Sequence, residues 1–299
     1  MNKSQHHHKL ENLYDLAGFS KQAHSQYMER RAKDEWKAQL VINSVLDVRT
    51  LHSIMGLKKI YNLLSPDWIG RDSFIGIGVE YGLGIHRLKS YQRTTFSTKS
   101  NWFSNLTAGL EITDINQVWV SDTTYFRIAD IFYYLTFIED VYSRRILGYV
   151  AYPNLKAEAN CIAMNMALKV RSGSDLRGLI HHSDRGSQYV SNIYLKILSD
   201  NKIAVSLCES VFENTHVERI NGIIKNEYLQ NQSIKTFEKL KRKLNVAVKL
   251  YNEDRPHWSL DCKSPCAFEK DLLDVKLDDR KILKIYSVPE KKYVQQQLF

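Results

Sequence analysis

The chain has 299 residues, 43% of them hydrophobic, which is enough for a folded core and too long for a single small domain. Its formal charge is +9, with 42 Lys and Arg against 33 Asp and Glu, so a polyanionic partner is favoured over an acidic or neutral one. The four cysteines form no regular framework, no N-terminal apolar signal core is present, and no run reaches the ~20 apolar residues that span a bilayer. A cytoplasmic protein with reduced thiols is expected. Cys262 and Cys266, with His257 upstream, lack the second ligand pair of a zinc site.

Taken in chain order, Leu10, Leu13, Leu16 and Ala17 recur at helical spacing until Gly18-Phe-Ser20. Ser20 is placed to cap a helix over Lys21–Leu46. A further helix is predicted over Thr50–Leu64, stopped by Ser65-Pro66. A weaker one lies in 67–86, with Asp72 as its cap and four glycines against it. From Tyr81 to Leu110 there is no acid. Arg87, Lys89, Arg93 and Lys99 are interleaved there with aromatic residues, as in a basic linker that follows a phosphate backbone.

Near residue 114 the pattern changes to strands. Val118–Phe126, Ile131–Ile138 and Ile146–Tyr152 are β-branched and aromatic with short connections, which predicts an antiparallel meander. A helix over Lys156–Val170, a strand at Leu179–Ser183, a helix over Asn192–Asn201 and a strand at Ala204–Cys208 follow. This order predicts an α/β layered fold with a mixed sheet. The next helix, Asn214–Tyr228, places Val217, Ile220 and Ile224 on one line and Glu218, Asn221 and Lys225 on the adjacent one. The last, Ile234–Asn252, buries Phe237, Leu240, Leu244, Val248 and Tyr251. Lys235, Lys239, Lys241, Arg242, Lys243 and Lys249 make the rest of it basic, and Pro256 ends it.

Three acids stand out in these contexts. Asp122 occupies a strand position where Val or Ile is ordinary, Asp184 follows two histidines at a strand end, and Glu218 lies beside an apolar stripe. Singly they read as an edge residue, a turn former and a solvated carboxylate. Together, and in this order of elements, they suit phosphoryl transfer, in which carboxylates converge on paired divalent cations. Arg185, Ser187 and Gln188 either position a phosphate or shape the turn after Asp184. His181, His182 and His216 suit packing and hydrogen bonding better than chemistry. Arg255 and His257 either contact DNA or anchor the last helix.

The segments Asn116–Tyr125, His182–Tyr189 and Glu218–Tyr228, closed by Tyr251-Asn-Glu-Asp-Arg-Pro-His257, Ser264-Pro265 and Phe268, resemble the OrfB transposases of the IS-three family of insertion sequences. The likeness covers about residues 10–270. It implies an RNase H-like integrase core, a five-stranded mixed sheet with flanking helices, preceded by a small helical, helix-turn-helix-like region. The implied division is 1–86 for that DNA-binding region, 87–113 for the linker, 114–275 for the core and 276–299 for a tail. Asp122, Asp184 and Glu218 would be the metal-binding triad for two Mg²⁺ or Mn²⁺ ions. Read from the residues themselves, Arg87, Lys89, Arg93, Lys99, Arg185, Asn221 and Lys225 are the candidate DNA contacts, against a solvated interdomain linker for the first four and a solvated helix face for Asn221 and Lys225.

The implied partners are double-stranded DNA (the element's terminal inverted repeats and the target), further copies of the chain, and an upstream OrfA product or fusion. The protein would be nucleoid-associated when bound to DNA. Residues 185–217 separate the second Asp from Glu218, two fewer than the family pattern, so the segment between Cys208 and Asn214 reads as shortened. Glu213 and Glu227 compete with Glu218 on proximity alone. The alternatives are a catalytically inactive transposase-derived DNA-binding protein and an RNase H-like nuclease without strand transfer.

Overall fold

The structure, a computed structural model, describes residues 14, 16–85, 103–208 and 215–285, with residues 215–217 described by their backbone alone. The chain divides into two compact units, Met1–Thr50 with Met55–His86, and Leu51–Ile54 with Arg87–Phe299.

The first unit is helical. Helix α1 spans Lys21–Leu51, α2 Leu57–Leu64 and α3 Arg71–Glu80. Ser20 Oγ accepts from Ala23 N at 3.1 Å, as a capping serine does. Val41, Val45, Met55, Leu57, Ile60, Ile69 and Phe74 form its core. Two expectations need correction. The predicted helix over Thr50–Leu64 is instead the end of α1, a break, and α2 starting after Gly56. The cap of α3 is Gly70. Asp72 lies inside the first turn and pairs with Arg71 at 2.9 Å, which leaves its carboxylate unavailable as a cap.

The second unit is built on a five-stranded mixed sheet in the order β4-β3-β2-β5-β6. Its strands are β2 (Val118–Ile128), β3 (Ile131–Asp140), β4 (Ile146–Tyr152), β5 (Ile180–Ser183) and β6 (Ala204–Leu207). Strands β2, β3 and β4 pair antiparallel, as the meander predicted, and β5 joins β2 in parallel. A separate two-stranded ladder joins β1 (Glu111–Ile112) to β7 (Leu283–Lys284).

Helices α4 (Ala157–Val170) and α5 (Asn192–Asp200) cover one face of the sheet. Trp119, Ile138, Leu147, Ala163, Met164, Ala167, Tyr194 and Leu198 pack there. The small residues on α4 allow close approach: a Cβ on Gly148 of β4 would strike the Ala163 carbonyl. The other face is covered by α6 (Thr215–Ile223), a π-helical turn at Ile224–Leu229, α7 (Phe237–Glu253) and α8 (Pro265–Leu272). Val118, Val120, Leu135, Phe137, Ile220, Ile224, Leu244, Val248 and Tyr251 pack on that side.

Helix α7 begins at Phe237 rather than at Ile234, because Thr236 caps it by accepting from Lys239 N at 3.2 Å. The expected uninterrupted helix over Asn214–Tyr228 is also corrected. The π turn adds a residue to one turn, and this lets Ile224, Glu227, Tyr228 and Leu229 all be buried within six positions. Helix α8 is held by Glu269, which accepts from Ser143 Oγ at 2.7 Å and from Arg145 and Arg171.

Candidate active site

Strand pairing brings the two aspartates together. The last matched pair of β2 and β5 is Ser121 with Ser183, so Asp122 and Asp184 are the next residues on adjacent strands, roughly 5 Å apart at the usual strand spacing. Alternation sends Val118, Val120 and Asp122 to the face covered by α6 and α7. Asp184 Oδ1 accepts from Gly186 N at 3.1 Å, so the same carboxylate shapes the turn that follows it. On the opposite face Ser121 Oγ meets the Tyr189 hydroxyl at 2.9 Å, and this fixes the chain beyond Asp184.

Helix α6 brings the third acid and its neighbours. Glu218 lies in the first turn of α6 and is exposed. One turn on, Asn221 is buried and its Nδ2 donates to Asp122 Oδ2 at 2.6 Å. Its Oδ1 is buried with no hydrogen-bond partner. Lys225 Nζ donates to Thr124 Oγ1 at 3.3 Å and lies 4.5 Å from the centroid of the Tyr125 ring. The line Glu218, Asn221, Lys225 thus faces the strand that carries Asp122. Thr124 and Tyr125 were not singled out from the sequence, although Thr124, two residues past Asp122, shares its face by alternation.

The electrostatics mark a cluster of acids with the Lys225 ammonium near Asp122. Burial, then Asp184, and to a lesser degree Glu218 push the Asp122 carboxyl up to about 8. Burial also raises Asp184, and partial desolvation raises Glu218 although its side chain reaches solvent. Burial lowers the Lys225 ammonium, and Asp122 opposes that shift. Among the described residues no three His, Cys, Asp or Glu side chains already stand close enough to hold a metal ion. The donors available are nonetheless all oxygens, which suits hard divalent cations. This all-oxygen donor set, with the buried Asn221 oxygen left without a hydrogen-bond partner beside it, is compatible with such a cation.

The other candidates fall outside this cluster. Arg185 Nε donates to the Cys208 carbonyl at 2.7 Å and so ties the turn after Asp184 to the end of β6. Gln188 is buried and Ser187 is exposed on that turn. His181 lies on the opposite face, 3.0 Å from the Tyr194 hydroxyl, and burial lowers its pKa to about 3, which keeps it neutral. His182 Nδ1 lies 2.8 Å from Ser206 Oγ, and both rings serve packing and hydrogen bonding. Glu227 is engaged by Arg255 through two hydrogen bonds of 2.8 and 2.9 Å, so Arg255 anchors the π turn. His257, also buried, packs edge-on against Tyr251 with centroids 4.8 Å apart. Arg87, Lys89, Arg93, Lys99 and Glu213, and the His216 side chain, lie outside the described residues.

Comparison with known proteins bears on this geometry. The integrase core domain family matches residues 113–210, and a second integrase core domain family matches residues 208–265. The insertion element IS600 uncharacterized 31 kDa protein of Shigella sonnei is 30% identical over 254 residues, covering 81% of this chain and 90% of that protein. The transposase for insertion sequence element IS629 of Shigella sonnei is 29% identical over 247 residues, covering 81% of each. Among solved structures, the HTLV-2 integrase catalytic core domain in complex with magnesium aligns with a TM-score of 0.40 and 20% identity, covering 52% of this chain and 95% of that one.

Proposed function

The chain belongs to the insertion-sequence transposases that carry an integrase core domain, and from that membership we propose that Asp122, Asp184 and Glu218 hold two divalent cations for cleavage and strand transfer at DNA ends. The observation that carries this reading is the side-by-side placement of Asp122 and Asp184, with Asp122 raised to about 8 by burial and by the two other acids. The engagement of Glu227 by Arg255 supports Glu218 as the third member.

A pair of Mg²⁺ or Mn²⁺ ions, when bound, would allow the three acids to ionise together and would polarise the phosphate oxygens. The chain's own residues do the rest. Asp122, Asp184 and Glu218 supply oxygen ligands. The Asn221 amide, bonded to one Asp122 oxygen, fixes that carboxylate in a single orientation. Lys225, steered by Thr124 and by the face of Tyr125, presents its ammonium near the acids, where a DNA phosphate would arrive. The attacking oxygen comes from water in cleavage and from a DNA 3′-OH in transfer, so no covalent protein–DNA intermediate forms.

The substrates on this reading are the element's terminal inverted repeats and a target duplex, worked on by more than one copy of the chain. Labelled element ends incubated with Mg²⁺ or Mn²⁺ test it. The protein should nick and join them, whereas Asp122→Asn, Asp184→Asn and Glu218→Gln should bind without doing either. Near-normal joining by any one of these variants would remove that residue from the triad. Cleavage without joining by the unsubstituted protein would mark a nuclease, and binding alone an inactive descendant.

A further inference from the structure

Helix α7 carries a charge pattern that the cleavage site does not use. Leu240, Leu244, Ala247, Val248 and Tyr251 are its buried stripe. Lys239, Arg242, Lys243, Val246 and Lys249 recur at spacings of three and four off that stripe, with Arg242, Val246 and Lys249 exposed and Lys239 and Lys243 half-buried on its flank. Val246, in the middle of that side, is 53% exposed. The acids on the helix are already engaged, Glu238 with Lys241 at 2.6 Å and Glu253 with Lys249 at 3.8 Å. Lys239, Arg242 and Lys243, together with Lys235 just before the helix, have no acidic partner among the described residues. Like charges three and four apart on a helix repel, and a polyanion laid along them removes that repulsion.

The stripe has a fixed place relative to the acids. Phe237, in the first turn of α7, stacks on Tyr133 of β3 with centroids 4.7 Å apart and planes 12° from parallel. The Lys241 ammonium sits 4.9 Å from the centre of the same Phe237 ring. Tyr133 is four residues along β3 from Phe137, the cross-strand partner of Asp122, and that is roughly 13 Å at strand rise. Tyr133, Phe237 and Phe137 all belong to the sheet face that carries Asp122. Lys239 and Lys243 are about 6 Å apart along the helix axis, against a phosphate every ~3.4 Å of duplex on each strand, so each cation can meet its own phosphate.

We propose that Lys239, Arg242 and Lys243 of α7 form a second DNA contact, a track for the phosphate backbone of duplex DNA extending past the acids. The inference rests on the transposase reading for the identity of its polyanion. It is separate from the contact assigned to Lys225.

The test is the salt dependence of binding by the full chain to a labelled random-sequence duplex. In K239Q/R242Q/K243Q the slope of log affinity against log salt should fall by about 2 to 3, since each phosphate neutralised contributes about 0.9. The charge-retaining variant K239R/R242K/K243R should keep the original slope, which separates lost charge from lost fold. An unchanged slope in the glutamine variant overturns the proposal. So does loss of poly-glutamate binding with the duplex slope intact, because that would assign the face to an acidic protein. Failure of the transposase reading looks different: element ends would go unjoined by the unsubstituted protein while the glutamine variant still lost slope on duplex DNA.

Discussion

Replacing Asp122 with Asn should stabilise the metal-free protein while abolishing strand joining. Asp122 rises from the ordinary aspartate value of 3.8 to about 8, so the folded chain holds on to a proton that the unfolded chain releases. The linkage fixes the sign. Below pH ~4 both states are protonated and Asp122 costs nothing. As pH rises towards 8 the folded state loses ground, and above that the full penalty applies. At about 1.4 kcal/mol per tenfold change, the ceiling is roughly 6 kcal/mol. Asp122 keeps a solvent-facing side, and Asn would still accept from Asn221, so about 2 kcal/mol is the expected gain. For 299 residues, at about 2.1 cal/mol/K of unfolding entropy each, that corresponds to a rise of about 3 °C in the unfolding midpoint.

Thermal unfolding in a chelator at pH 5, 7 and 9 measures it. The advantage of Asp122→Asn should grow across that range and shrink when Mg²⁺ is added, because the cation stabilises only the aspartate form. A variant less stable than the parent at pH 9, or a difference independent of pH, would refute the argument that burial and the neighbouring acids raise Asp122.

Glu227 and Glu218 should respond to loss of charge to very different degrees. Glu227→Gln strands the buried Arg255 guanidinium and should cost about 3–5 kcal/mol in chemical denaturation, whereas exposed Glu218→Gln should stay within about 0.5 kcal/mol; equal costs would count against the assignment. Lys225→Met keeps the stem over Tyr125 and removes the charge. It should leave the unfolding midpoint in place and lower the salt slope of duplex binding by about 1, and an unaltered slope would exclude a phosphate contact. Gly148→Ala should cost about 3 kcal/mol or prevent folding, read by circular dichroism, because the added methyl meets the Ala163 backbone; a neutral result would mean that α4 can move away from β4.

The meander was legible because its β-branched runs are long and its connections short, and Asp122 stood out as an acid at a strand position where Val or Ile is ordinary. Helical spacing likewise placed Asn221 and Lys225 beside Glu218. Two of the failures share a physical cause, which is distance along the chain. His52 closes the break after α1 by meeting the Tyr228 hydroxyl at 2.8 Å and Asp254 Oδ2 at 2.6 Å, partners that no local pattern announces. Periodicity therefore ran a helix straight through the break. The π turn is hidden for a similar reason. Its apolar residues fit an ordinary helix in isolation, and the extra residue makes sense only once Glu227 has to reach Arg255. Arg255 itself was left open between DNA contact and anchor, and its buried partner decides for the anchor.

The parallel pairing of β2 with β5 also governs when the two aspartates meet. Asp122 sits on a hairpin that can close as soon as β3 leaves the ribosome, but its neighbour arrives only after β4 and α4 have been made and the crossover has folded back. Parallel strands joined through so long a crossover pair slowly, since the loop must be closed before any ladder bond rewards it. A nascent chain that ends before β5 therefore carries Asp122 without Asp184 beside it. On the proposed reading, DNA cleavage waits until β5 has joined the sheet and α6 has brought Glu218.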